Sequence, residues 1–217
     1  MSVHLQREIE RLKKKIILLG GEVEESLQKA VRSLRNRDLA LARAVIENDA
    51  AIDRAEVEFE EECLKILALD QPVAMDLRFV VAVLKINNDL ERIADMAVNM
   101  ADRALDLSQG KRPPFPAQLT MMVDAAQSML KRSLDALVNM NTALAWDVIR
   151  DDDLLDALHA QMYQYVQDAI RSDLDQVGSY ISLLTISRQL ERTADLVTNI
   201  AEDVIYMVDG EIVRHKI

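Results

Sequence analysis

Four acidic pairs stand one helical turn apart in this 217-residue chain: Asp49/Asp53, Glu91/Asp95, Asp152/Asp156 and Glu191/Asp195. At about 100° per residue, Asp95, Asn99 and Asp102 fall roughly 40°, 80° and 20° from Glu91, which makes one polar stripe along a helix. Glu191, Asp195, Asn199 and Glu202 repeat that stripe. Asp49, Asp53, Glu56 and Glu60 form another, whose counterpart is Asp152, Asp156, His159 and Tyr163. Carboxylates at i, i+4 repel by about 0.2–0.5 kcal/mol per pair in an isolated helix. Side chains one turn apart can also grip one cation, and two stripes on adjacent helices supply the several oxygens a hard metal takes. Mg2+, Mn2+, Ca2+ or iron suits a carboxylate-only set, and His159 adds iron or zinc to the choices in the second half. The competing reading is a solvated acidic face.

The candidate metal ligands are therefore Asp49, Asp53, Glu91, Asp95, Asp152, Asp156, Glu191 and Asp195, with Asp102, His159 and Glu202 as outer members. Arg92 and Arg192 lie about 100° off the acidic line and read as salt-bridge partners or phosphate contacts. Asn99 and Asn199 read as supporting polar groups or as surface. Nucleophilic catalysis finds no foothold. The sequence has no Gly-x-Ser-x-Gly elbow, phosphate-cradling Gly-rich loop, Cys-x-x-Cys or His-Glu-x-x-His. The paired Glu-x-x-His motifs of dimetal carboxylate enzymes shrink to a single Asp156-x-x-His159.

Charge narrows the partners. With 26 basic and 37 acidic residues the net charge is −11, which opposes bulk binding to nucleic acid or anionic lipid. A local exception is the run Arg7, Arg11, Lys13, Lys14 and Lys15, either a solvated helix face or a docking patch. No stretch reaches the roughly 18–20 apolar residues of a membrane span. The apolar run Ile16–Leu19 stops at Gly20, too short for a signal peptide. The lone Cys63 cannot form an internal disulfide, reads as a small buried apolar group and fits a reducing compartment. A cytoplasmic location is expected.

The stripes are held by a duplicated scaffold. Residues 90–103, LERIADMAVNMADR, match 190–203, LERTADLVTNIAED, at an offset of 100. Residues 45–53, VIENDAAID, match 148–156, VIRDDDLLD, at an offset of 103. Between the halves, Ser108–Pro116 carries three prolines and a glycine and reads as a linker. Helices are expected at 4–35, 38–69 and 73–108, then at 117–139, 142–171 and 174–208, with a break in the first at Gly20–Gly21. Asp38 reads as a cap, Pro72 marks a helix start, and Asn141 and Ser172–Asp173 punctuate the second half. Ile93, Ala97, Met100 and Ala104, opposite the acidic stripe, should face a core, as should Thr193, Val197, Ile200 and Val204. The fold expected is all-α, two tandem three-helix bundles related by duplication: residues 1–108, a linker at 109–116, and 117–217. The long middle helices favour a rod, and Met-rich apolar faces, with ten Met in the chain, suit homodimerisation.

LERIADMAVNMAD and LERTADLVTNIAED resemble the two E-x-x-x-D motifs of the PhoU family, and PVAMDLRFVVAVLKINND at 72–89 resembles the approach to the first. The resemblance covers essentially the whole chain. It implies tandem three-helix bundles that bind multinuclear metal clusters. Glu91/Asp95 and Glu191/Asp195 match the motifs, and Asp49/Asp53 and Asp152/Asp156 match their partners on the middle helices. It implies a negative regulator of phosphate uptake and phosphate-starvation signalling, not an enzyme. The partners implied are the transporter ATPase PstB and the sensor kinase PhoR. Gly178 departs from the repeat, standing where the first half has Arg78. Two other readings stay open: an accessory of a low-affinity phosphate permease, and a carboxylate-bridged metalloenzyme acting as oxidase or phosphatase.

Overall fold

A computed structural model describes residues 3–108 and 113–213. The first half forms α1 (Val3–Asn36), α2 (Leu39–Leu69) and α3 (Ala74–Leu107). The second forms α4 (Ala117–Asn139), α5 (Thr142–Arg150), α6 (Asp152–Ser172), a 3-10 turn at Leu174–Gln176 and α7 (Val177–Asp209). The described residues contain no strand. Residues 109–112 of the expected linker lie outside the described residues, while Pro113–Pro116 lead directly into α4.

The turn signals act as their chemistry requires. The Asp38 carboxylate accepts from the Leu41 amide at 3.0 Å, and the Asn141 side chain from the Leu144 amide at 3.1 Å, each satisfying an otherwise orphaned donor at a helix start. The carboxyl end of α7 closes on Gly210 at φ +75, the left-handed conformation glycine adopts without steric cost.

Three expectations need correction. The helix does not break at Gly20–Gly21; α1 runs through both. Gly20 is buried against α4, where an added Cβ would sit 2.7 Å from a Leu134 methyl. The glycine serves close approach between helices, not a turn. The middle helix of the second half is in turn not continuous over 142–171. It is pinched at Asp151, where the amides of Asp151 and Leu154 bond three residues back, to Val148 and Asp151, in place of the four-residue ladder. A run of three aspartates is weakly helical, and Arg132 of α4 pairs with the Asp151 carboxylate and holds the pinch. The last helix likewise begins at Val177, after the short 3-10 turn, rather than at 174.

The faces opposite the stripes are core, as the periodicity predicts. Ile93, Ala97, Met100 and Ala104 on α3 are buried, as are Thr193, Val197, Ile200 and Val204 on α7. Truncating a fully buried side chain such as Met100 to Ala costs about 2–5 kcal/mol at such a site. Cys63 is buried too, and its thiol is pushed up to about 12 by burial and by the neighbouring Glu62 and Glu60. It is inert core.

The bundles lie side by side rather than end to end, with α3 against α7 and α1 against α4. Lys85, toward the start of α3, reaches Asp203 near the end of α7 at 3.2 Å, so the two helices run antiparallel. The Lys85 ammonium also lies 5.5 Å from the centre of the Tyr206 ring. Arg78 packs its guanidinium against Gly210 in the same register. In the repeat, Thr185 replaces Lys85 and Arg103 replaces Asp203, so this clamp occurs at one end of the interface only.

Candidate metal centre

Packing of α2 on α3 brings the two acidic stripes of the first half together. Burial raises the pKa of Asp49 above the ordinary carboxylate range, followed by repulsion from Asp53 on its own helix and from Asp95 across the interface. Glu91 is raised by burial, then by Asp95, Asp53, Glu56 and Asp49. Asp95 is raised by burial and Asp53, with the Arg92 charge opposing. Glu56 is raised by burial and by Glu60 and Asp53. Six carboxyl groups from two helices, Asp49, Asp53, Glu56, Glu60, Glu91 and Asp95, are therefore linked electrostatically.

Beneath them sits Asn87, wholly buried, one turn before Glu91. Its amide donates to the Glu56 backbone carbonyl at 3.0 Å and to Glu56 Oε1 at 3.2 Å, while its own Oδ1 is buried with no hydrogen-bond partner among the described residues.

The second half repeats the arrangement with α6 and α7. Asp152 is pushed up to about 6, first by burial, then by Asp195, Asp156, Asp153 and Glu191. Its Oδ1 is buried and, among the described residues, has no hydrogen-bond partner. Glu191 is raised by burial and Asp195, with His159 opposing. Asp195 is raised by burial and Asp156, with Arg192 opposing. Where the first half has Glu56 and Asn87, this half has His159 and Ser187, and the imidazole Nδ1 lies 2.5 Å from the Ser187 hydroxyl.

Among the described residues, no three His, Cys, Asp or Glu side chains already converge as a closed metal cage. The donors nonetheless suit a hard or borderline cation. They are clustered oxygens with one nitrogen, they repel each other, and each site holds a buried oxygen without a partner among the described residues.

A sequence model of the family described as PhoU domain matches this chain twice, at residues 16–104 and 119–204. The chain belongs to the PhoU family. It is 35% identical to the phosphate-specific transport system accessory protein PhoU homolog of Aquifex aeolicus, over 98% of this chain and 96% of that one. It is 31% identical to the phosphate-specific transport system accessory protein PhoU of Escherichia coli, over 99% and 89% of the two chains. The crystal structure of PhoU from Pseudomonas aeruginosa superposes with a TM-score of 0.92 at 33% identity, covering 95% of this chain and 99% of that one. PhoU from Streptococcus pneumoniae, titled a phosphate transport system regulatory protein, gives 0.89 at 29% identity, covering 96% and 99%.

Within this PhoU-family frame the outer candidates separate. His159 joins the second site. Asp102, half-buried two turns beyond Asp95, stands outside the electrostatic couplings described above. Glu202 lines a different crevice, between the bundles, with Lys85, Asp203, Tyr206, Ile212 and Val213. Arg92 and Arg192 are exposed, and their charges oppose the upward shifts of Asp95 and Asp195. Asn99 turns back on its own helix and donates to the Asp95 carbonyl at 2.8 Å. Asn199 lines a crevice of about 450 Å3 with Glu56, Lys85 and Arg92. Most of the basic run on α1 is spent within the fold. Arg11 and Lys15 both bond Glu62, at 3.0 and 2.7 Å, and Lys13 bonds Glu10 at 2.8 Å.

Sequence reasoning left out Asn87 and Ser187. Both stand one turn before the Glu of the motif, on the same face, so extending each stripe by four residues would have found them.

Proposed function

We propose that this chain is a metal-binding cytoplasmic adaptor that restrains phosphate uptake and phosphate-starvation signalling. Its partners on this reading are the ATPase of a phosphate ABC transporter, of PstB type, and a phosphate sensor histidine kinase, of PhoR type. The observation that carries the reading is full-length kinship with accessory proteins of the phosphate-specific transport system. No described helix is long and apolar enough to cross a membrane, which is in keeping with arrival at the membrane through partners. The output is a binding event, not turnover. Exposed Met75, Met121 and Met140 supply adaptable apolar contacts for partners or for a second copy.

Asp49, Asp53, Glu91 and Asp95 would hold a cation in the first half; Asp152, Asp156, Glu191 and Asp195 would hold one in the second. Iron, zinc, manganese and magnesium are the candidate ions. A bound cation supplies the positive charge these carboxylates lack. Because each set draws from two helices, its residues tie α2 to α3 and α6 to α7, which stiffens the surfaces offered to partners. Deleting the gene should switch on phosphate-scavenging genes in phosphate-rich medium, and restoring it should silence them. Full repression in the deletion strain would sink the regulatory assignment and favour the permease accessory.

A further inference from the structure

Resting on the metal-binding reading, we propose that the two sites choose different ions: the second takes zinc or ferrous iron through His159, and the first takes magnesium or manganese through oxygen alone. The contrast lies at structurally equivalent positions. In the first half the Asn87 amide bonds Glu56, leaving a carboxylate, a hard oxygen donor, beside Asp53 and Glu91. In the second half the corresponding side chain is an imidazole, and its surroundings fix which nitrogen is free. The buried Ser187 hydroxyl donates to Met122 Sδ at 3.5 Å, and that sulfur has no proton to give. The His159 Nδ1 shares a hydrogen bond with the Ser187 hydroxyl at 2.5 Å, so Nε2 is the ring nitrogen left open. In the tautomer with the proton on Nδ1, that nitrogen donates to the Ser187 oxygen and the Nε2 lone pair is free for a ligand. Metal-binding histidines are held in just this way, with the second ring nitrogen bonded to a protein oxygen. His159 also sits beside Glu191, near enough to influence that carboxyl. Imidazole prefers zinc and iron, whereas carboxylates suit magnesium and manganese.

The test is competition. Because every site of this kind gains affinity from manganese to zinc, the diagnostic quantity is the zinc-to-manganese ratio of one site relative to the other. Each site is isolated by Glu91→Ala/Asp95→Ala or Glu191→Ala/Asp195→Ala, loaded with both ions, and its content measured by elemental analysis. The second site should show a ratio at least about tenfold higher than the first. His159→Glu should erase that difference while manganese still binds, and Ser187→Ala should weaken zinc binding by about tenfold or more. Nitrogen NMR of the wild type should place the zinc-induced shift on Nε2 of His159. His159→Gln, checked by circular dichroism, guards against a folding defect in the glutamate variant. Equal ratios at the two sites, or a ratio unchanged by His159→Glu, would overturn the proposal while leaving metal binding intact. Absence of any ion from either site would overturn the underlying reading instead.

Discussion

The two acidic sites descend from one repeat yet are built differently. The first rests on an unbroken α2 and presents oxygen donors only. The second rests on a helix pinched at Asp151, which makes Asp152 the first residue of α6, and it includes an imidazole. Asp152 is pushed up to about 6 by burial and by repulsion from Asp195 and Asp156, further than the other raised carboxyls of the two sites. Duplication thus preserved the E-x-x-x-D pairs on α3 and α7, while the helices facing them diverged. The same divergence shows at the interface between the bundles, where Lys85 and Asp203 clamp one end and Thr185 and Arg103 occupy the other.

The largest effect expected from this comparison is on metal content. Glu91→Ala/Asp95→Ala should empty the first site with a loss of affinity beyond about a hundredfold and leave the second filled, and Glu191→Ala/Asp195→Ala should do the reverse. Elemental analysis of each variant reads the outcome. Loss of both ions from either double variant would mean that the sites are not independent.

A smaller effect concerns pH in the metal-free protein. Folded Asp152 keeps its proton up to about 6, above the ordinary carboxylate value. Between those limits the folded state binds more protons than the unfolded chain. Its contribution to stability is therefore complete below about pH 4 and lost as pH rises through about 6. Denaturant titrations in chelator should show Asp152→Asn flattening this decline by about 1–2 kcal/mol, less than full linkage because water reaches the site. Asp49→Asn, in the first half, should flatten it less. Equal effects at both positions would count against the deeper burial and stronger repulsion assigned to Asp152.

The smallest effect is a change of sign. Without metal, Asp195→Ala removes repulsion from Asp156 and should raise stability by a few tenths of a kcal/mol. With metal in excess the same substitution should lower it, because an ion bound only to the folded state adds RT ln(1 + [L]/Kd). Melting curves with and without metal check this, and one sign in both conditions would remove Asp195 from the site.

The sequence by itself determined much of this. Helical periodicity separated the buried faces, such as Ile93–Ala97–Met100, from the acidic stripes, because a helix repeats every 3.6 residues whatever surrounds it. Asp38 and Asn141 announced their helix starts because capping is a local bond. The duplication and the family were legible in LERIAD and LERTAD. Only the tertiary structure decided which stripes meet. That Asp49 faces Asp95, and Asp152 faces Asp195, depends on how two helices are rotated against each other, and no local pattern sets that angle. Gly20 looked like a breaker because its reason for being glycine, the Leu134 side chain, lies 114 positions away in the sequence. The pinch at Asp151 was hidden for the same cause, since Arg132 arrives from another helix. Glu202 lies on the acidic stripe of α7, and only packing places it in a crevice between the bundles with Lys85 and Tyr206.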